Sequence, residues 1–157
     1  MLMSKPVLNE TEIKVSELSE LNVKYNVSVN INAVKQLLET VDSFFAQKLI
    51  HSPLKTKIRA VLYEAAINVV QHSGMSSTRK FTIDICLNTD SVQLIICSGG
   101  KRFDSEKEAL LSKSTSIGPP YMKRGYGLKS IVALVDSLKY KRTRNGMNEL
   151  VLTFNKD

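Results

Sequence analysis

Four stretches of this chain alternate apolar and polar residues with a period of two, so each can hide only one of its faces. Val23, Tyr25, Val27 and Val29 alternate with Lys24, Asn26 and Ser28. Phe81, Ile83, Ile85 and Leu87 form a second set, Val92, Leu94 and Ile96 a third, and Leu150, Leu152 and Phe154 a fourth. Successive side chains of a strand point to opposite faces, and this pattern predicts half-buried strands. The residues to cover them are present. After Asn30, a suitable helix N-cap, Ile31, Val34, Leu38, Val41 and Phe45 recur at helical spacing. A second helix is expected from Ser52-Pro53, read as N-cap and first helical residue. Ile58, Val61, Leu62, Ala65 and Val69 form its apolar stripe, which runs to about His72 and stops at Gly74. The expected architecture is an α/β (α+β) two-layer sandwich, with a mixed but mostly antiparallel sheet and its helices packed on one face.

Asn88-Thr89-Asp90 turns the second strand into the third, and a final pair of strands surrounds Asn145-Gly146, the strongest short hairpin signal, with the fourth alternating set after it. Between these hairpins, residues 98–124 hold no period. Ser98-Gly99-Gly100, the Ser/Thr-rich run 112–116 and Gly118-Pro119-Pro120 interrupt any helix or strand. A connection this long inside a compact domain is usually functional or mobile. Helical spacing then returns with Leu128, Ile131, Val132, Val135 and Leu138. Residues 1–22 read as an N-terminal arm or edge element and 23–157 as one domain, in keeping with a length of 157 residues.

No apolar run approaches the roughly 18 residues that a membrane span needs. The opening Met1-Leu2-Met3-Ser4-Lys5-Pro6 lacks the apolar stretch of a secretory signal, so a cytoplasmic location is expected. Cys86 and Cys97 sit in apolar-rich segments and are expected to be buried free thiols rather than a bridge. The net charge of +7 comes largely from Lys123, Arg124, Lys129, Lys139, Lys141, Arg142 and Arg144. No aromatic residues interleave them as stacking on single strands would require, which disfavours nucleic acid. A solvated basic face is the plain reading; a face that meets an acidic protein or nucleotide phosphates is the functional one.

Three features exceed what a plain core needs. Glu64, Asn68 and His72 stand four apart on the second helix, within about 80° of arc beside the apolar stripe. A carboxylate there can orient or deprotonate an attacking hydroxyl, and the amide oxygen of Asn68 suits magnesium. The plainer readings are a solvated polar flank and, for His72, a charge complementing the helix C-terminus. Ser98-Gly99-Gly100-Lys101-Arg102-Phe103-Asp104 follows a strand directly, where glycines let backbone approach a flat ligand or simply make a turn. Lys123-Arg124-Gly125-Tyr126-Gly127-Leu128 opens a predicted helix whose free N–H groups suit phosphate oxygens. Their order along the chain is more specific than any one of them.

Glu64-Ala65-Ala66-Ile67-Asn68-Val69-Val70-Gln71-His72 resembles the N-box of the GHKL (histidine kinase-like) ATPase superfamily. Its Glu-Ala-x-x-Asn-x-x-x-His wording is especially similar to that of the anti-sigma-factor serine/threonine kinases. Residues 98–104 stand in the place of the first glycine box, and Arg124-Gly125-Tyr126-Gly127-Leu128 resembles the second. The resemblance spans roughly residues 23–155. It implies a Bergerat-type ATP-binding fold that takes ATP and Mg2+, with Asn68 as the metal ligand. Glu64 would be the general base on a serine or threonine of a protein substrate, and residues 105–124 the lid over ATP. His72, Ser98, Gly100, Arg102, Lys123, Arg124, Gly125, Gly127 and Leu128 would complete the nucleotide site. The family's first glycine box reads Asp-x-Gly-x-Gly; here Ser98 replaces the aspartate and Arg102 the second glycine. A serine hydroxyl accepts the adenine amino proton without the charge-assisted part, about 1–2 kcal/mol. Arg102 either crowds the pocket or reaches a phosphate.

The resemblance implies a stand-alone kinase that phosphorylates an antagonist protein in a partner-switching pathway. No phosphoacceptor-histidine hairpin precedes the domain, so a complete sensor histidine kinase is not expected, nor at this length a gyrase-like machine. The alternative is the same fold with weak or no turnover, regulating by binding a sigma factor or another protein. Homodimers are common in such families, and nothing in the residues decides for or against one here.

Overall fold

The half-buried strands pair as their alternation requires. The computed structural model describes residues 8–15, 21–48, 50–102 and 131–156. Strands β1 (Leu8–Val15) and β2 (Leu21–Ser28) precede helices α1 (Ile31–Ala46) and α2 (Ser52–His72). Then come β3 (Lys80–Leu87), β4 (Ser91–Ser98), β5 (Ser137–Arg142) and β6 (Asn148–Asn155). They form one six-stranded sheet in the order β1-β2-β3-β4-β6-β5. Every described pairing is antiparallel, so the mixed character expected of the sheet does not occur among the described residues. The N-terminal segment contributes β1 at one margin, and β5 occupies the other.

Register places the apolar sets side by side on one face. Val23, Ile85, Leu94 and Leu152 make one row and Tyr25, Ile83, Ile96 and Leu150 the next, all of them buried. α1 packs over β2 and α2 over β4, and the two helices pack on each other. The core lies between this layer and the sheet.

Helix α1 starts where expected, with the Asn30 side chain accepting from Ala33 N at 2.8 Å. Its buried face is Ala33, Val34, Leu37, Leu38, Val41 and Phe45. Ile31 departs from the expected stripe: it opens the helix beyond the covering layer and is 46% exposed. The N-cap of α2 is also displaced by one residue. His51, not Ser52, holds that place, its Nδ1 accepting from Leu54 N at 3.3 Å, and Ser52 is already helical. An imidazole nitrogen thus replaces the hydroxyl acceptor. At the other end α2 stops at His72, and Gly74 takes the left-handed backbone (φ +73) that ends helices.

Leu128, Ile131, Val132, Val135 and Leu138 keep helical spacing, while residues 130–138 also resemble the helix and strand entry that follow the second glycine box of the GHKL family. The structure is helical at residues 131–134, with Ile131 fully buried, and then changes. Asp136 N donates to Thr153 O at 2.9 Å, and the Asp136 carboxylate accepts from Asn155 N at 2.7 Å. This draws the chain onto β6, so Leu138 enters β5 opposite Leu152. The β5–β6 hairpin closes around Gly146 (φ +76), with Gly146 N donating to Thr143 O at 3.0 Å.

Both cysteines lie half-buried on the opposite face of the sheet rather than in the core, and neither is in a disulfide. Cys86 pairs with Gln93 and Cys97 with Thr82. They are therefore about 13 Å apart along the strands, too far for a bridge. Burial, Glu149 and Asp84 push the Cys97 thiol up, partly offset by Thr82 and Lys24, which keeps it protonated and unreactive. Among the described residues no helix is long and apolar enough to cross a membrane.

Tyr25 supplies a pH test of this packing. It is only 2% exposed, and burial raises its phenol to about 12. The unfolded chain loses that proton near pH 10 while the folded chain keeps it, so stability present below pH 10 is lost as pH rises through 12. The loss attributable to Tyr25 is roughly 2–3 kcal/mol. Urea unfolding of wild type and Tyr25→Phe across pH 9–12 measures it as the difference between the two curves. Parallel curves would remove the phenol from the alkaline transition.

Candidate functional site

The C-terminal half of α2 is buried around much of its circumference. Ala65, Ala66 and Ile67 are consecutive buried residues, and consecutive positions span about 200° on a helix. Leu54, Ile58, Val61, Leu62 and Ala65 make the main stripe. Ile67, 9% exposed, falls on the far side of Glu64 and Asn68 from that stripe. On the helix circumference the two polar residues therefore fall between that stripe and Ile67, and both are half-buried. They stand one turn apart, about 6 Å along the axis. His72, a turn further on, is exposed as the last helical residue.

Ser98 ends β4 on the helix-covered face. It is 5% exposed, and its cross-strand partner is Asn148. The chain then turns against the end of α2. Lys101 N donates to Ser73 O at 2.8 Å, and Ser73 Oγ accepts from Met75 N at 3.2 Å. Gly100 is obligatory at this approach, with φ +82 and its missing Cβ only 2.2 Å from Ser73 O. A Cβ at Gly74 would meet Lys101 Cε at 3.3 Å, so the lysine stem lies over the helix terminus. Arg102 is exposed just beyond this seat.

A second set of contacts holds the same loop from the far strands. Asn148, 5% exposed, donates from Nδ2 to Lys101 O at 2.8 Å and, more weakly, to Gly99 O at 3.5 Å. Its Oδ1 accepts from Tyr140 OH at 2.6 Å and from Arg142 Nη1 at 3.2 Å. Arg142 Nη1 also donates to Gly100 O at 3.0 Å. Ser73, Tyr140, Arg142 and Asn148 were not identified as site residues from the sequence. For Asn148 a signal existed. Counting back by twos from Phe154, Leu152 and Leu150 puts an amide on the buried face, where an apolar residue is the rule.

Two of the three sequence features are thus brought together: the end of α2 and the loop after β4. Lys123, Arg124, Gly125, Gly127 and Leu128 lie outside the described residues, as does the expected lid 105–124. Of the basic residues noted earlier, Lys139, Lys141, Arg142 and Arg144 are exposed. Lys141 pairs with Glu149 at 3.4 Å.

Residues 27–154 match the histidine kinase-like ATPase domain family, and the chain belongs to that family. In three dimensions it is similar to a chain of the crystal structure of the SiaB–SiaC complex from Pseudomonas aeruginosa. That similarity has a TM-score of 0.64 at 13% sequence identity and covers 84% of this chain and 88% of the other. At this identity the likeness concerns the fold. Comparison with curated protein sequences gives no match.

Proposed function

We propose that this domain binds ATP with Mg2+ and phosphorylates a serine or threonine of a small antagonist protein, switching partners as an anti-sigma-factor kinase does. The observation that carries the reading is the Lys101 N to Ser73 O hydrogen bond of 2.8 Å. It joins the helix bearing Glu64, Asn68 and His72 to the loop bearing Ser98, Gly100 and Arg102, in a chain of an ATPase family.

The residues present suit the ligand. Ser98 and the backbone at Gly100 offer a small, flat approach for adenine at the end of the sheet. Among the described residues there is no cluster of three His, Cys, Asp or Glu that could cage a metal alone. Magnesium is usually held by one or two protein oxygens together with phosphates and water, and the carboxamide oxygen of Asn68 fits that part. When bound, ATP supplies the γ-phosphoryl group, whose bond to the β–γ bridging oxygen breaks as one to the acceptor hydroxyl forms. Glu64, one turn before Asn68, takes the hydroxyl proton. His72 and the basic segment 123–128 complete the phosphate side, and ADP with the phosphorylated partner are the products. The match to a chain from a two-protein complex supports a protein as the partner.

A second reading keeps the fold and the partner but drops turnover, and Ser98 favours it. This neutral, buried hydroxyl weakens adenine recognition relative to a carboxylate. Melting curves under Mg·ATP titration, followed by transfer from γ-labelled ATP to candidate antagonist proteins, separate the two. The kinase gains melting temperature and labels a partner; a pure binding module leaves every candidate unlabelled. Ser98→Asp is expected to tighten ATP binding about tenfold, by restoring a charge-assisted hydrogen bond. Unchanged or weaker binding in a calorimetric titration would detach Ser98 from the base.

A further inference from the structure

We infer that Asn148, with Arg142 and Tyr140, is a positioning clamp that holds the loop 99–101 in the shape the nucleotide base requires. This rests on the nucleotide reading of the site and extends it to two strands that carry none of the recognised motifs. All three carbonyls of Gly99, Gly100 and Lys101 are held from β5 and β6. Asn148 Nδ2 donates to Lys101 O at 2.8 Å and to Gly99 O at 3.5 Å, and Arg142 Nη1 to Gly100 O at 3.0 Å. The amide orientation follows from chemistry. A guanidinium only donates, so the Asn148 atom 3.2 Å from Arg142 Nη1 must be the oxygen. The NH2 group then faces the carbonyls, which only accept.

Asn148 is also the cross-strand partner of Ser98. A shift of its backbone or side chain therefore reaches the end of β4 and the glycine loop together. Lys101 N is meanwhile fixed to Ser73 O, so the loop is held on both sides: by α2 through its N–H, and by the far strands through its carbonyls. A buried amide used at both ends is a specific solution. An apolar residue there would pack as well but leave the carbonyls to water.

The test uses the full chain carrying Asn148→Asp, Arg142→Ala or Arg142→Lys, with amide hydrogen exchange and calorimetric titrations of Mg·ATP and Mg·GTP. An aspartate keeps the acceptor for Tyr140 and Arg142 but turns an oxygen toward the loop carbonyls. Asn148→Asp is expected to speed exchange at Lys101 N while the amides of β3 and β4 stay protected. It should weaken ATP binding about tenfold and GTP binding much less, because only base recognition is disturbed. Arg142→Ala should lose about threefold, and Arg142→Lys should recover most of that. A purely structural role would move both nucleotides alike and lower the melting temperature in step. If wild type binds ATP and the variants bind it equally well, the clamp is overturned and the nucleotide reading stands. If wild type binds no nucleotide, the nucleotide reading fails and the clamp with it, whatever the exchange data show.

Discussion

Glu64→Gln is expected to reduce phosphoryl transfer by about 10²–10⁴-fold, the range typical of a lost general base, while leaving the stabilisation by Mg·ATP intact. The substitution keeps the size and hydrogen-bonding reach of the side chain but removes its ability to take a proton. Because Glu64 is half-buried one turn before Asn68, the neutral amide should pack without disturbing α2. Asn68→Ala should behave differently, losing transfer and also the magnesium-dependent part of nucleotide binding. Single-turnover transfer from labelled ATP, measured beside melting curves, distinguishes the two. Full transfer by Glu64→Gln would take the base role away from this residue.

Among Gly74, Gly99 and Gly100, alanine at Gly100 should be the most damaging. The left-handed backbone at φ +82 costs an alanine about 1–2 kcal/mol. The new Cβ would also stand 2.2 Å from the carbonyl oxygen of Ser73, a rigid backbone atom. The loop must move, and the hydrogen bond from Lys101 N goes with it, for a total loss of about 2–4 kcal/mol. Nucleotide affinity should fall more than tenfold, since the loop then no longer seats the base. Two neighbours serve as controls. Gly74→Ala shares the positive φ but meets the flexible side chain of Lys101, nearest at Cε, 3.3 Å away. Gly99→Ala meets no atom closer than 3.4 Å and needs no unusual backbone. Urea unfolding should rank them Gly100, Gly74, Gly99 in decreasing damage. Equal stability of Gly100→Ala and Gly99→Ala would contradict the seating of the loop on α2.

The fold was legible because four strands alternate cleanly, and alternation with one buried face leaves little choice of packing. The cap at Asn30 and the Asn145-Gly146 turn were legible for the same local reason: each residue type has a backbone role that few others fill. The failures are equally physical. Val135 and Leu138 fit a helical period and a strand start alike, and only the contacts of Asp136 with β6 decide between them. His51 as N-cap was hidden because an imidazole is a less common cap acceptor than the serine beside it. Of the candidate site, the motif residues on α2 and after β4 could be named from their order. The hold on the loop could not, because Arg142 and Asn148 meet it only through strand pairing more than thirty residues away in sequence.

Convergence of the Glu64–Asn68 flank of α2 and the loop 98–101 on one nucleotide is tested most directly by a crystal structure of the full chain with a non-hydrolysable ATP analogue and Mg2+. The adenine should lie against Ser98 and Gly100, and the metal should take the Asn68 side-chain oxygen. An analogue bound where it touches neither Asn68 nor Ser98 would contradict the proposed site outright.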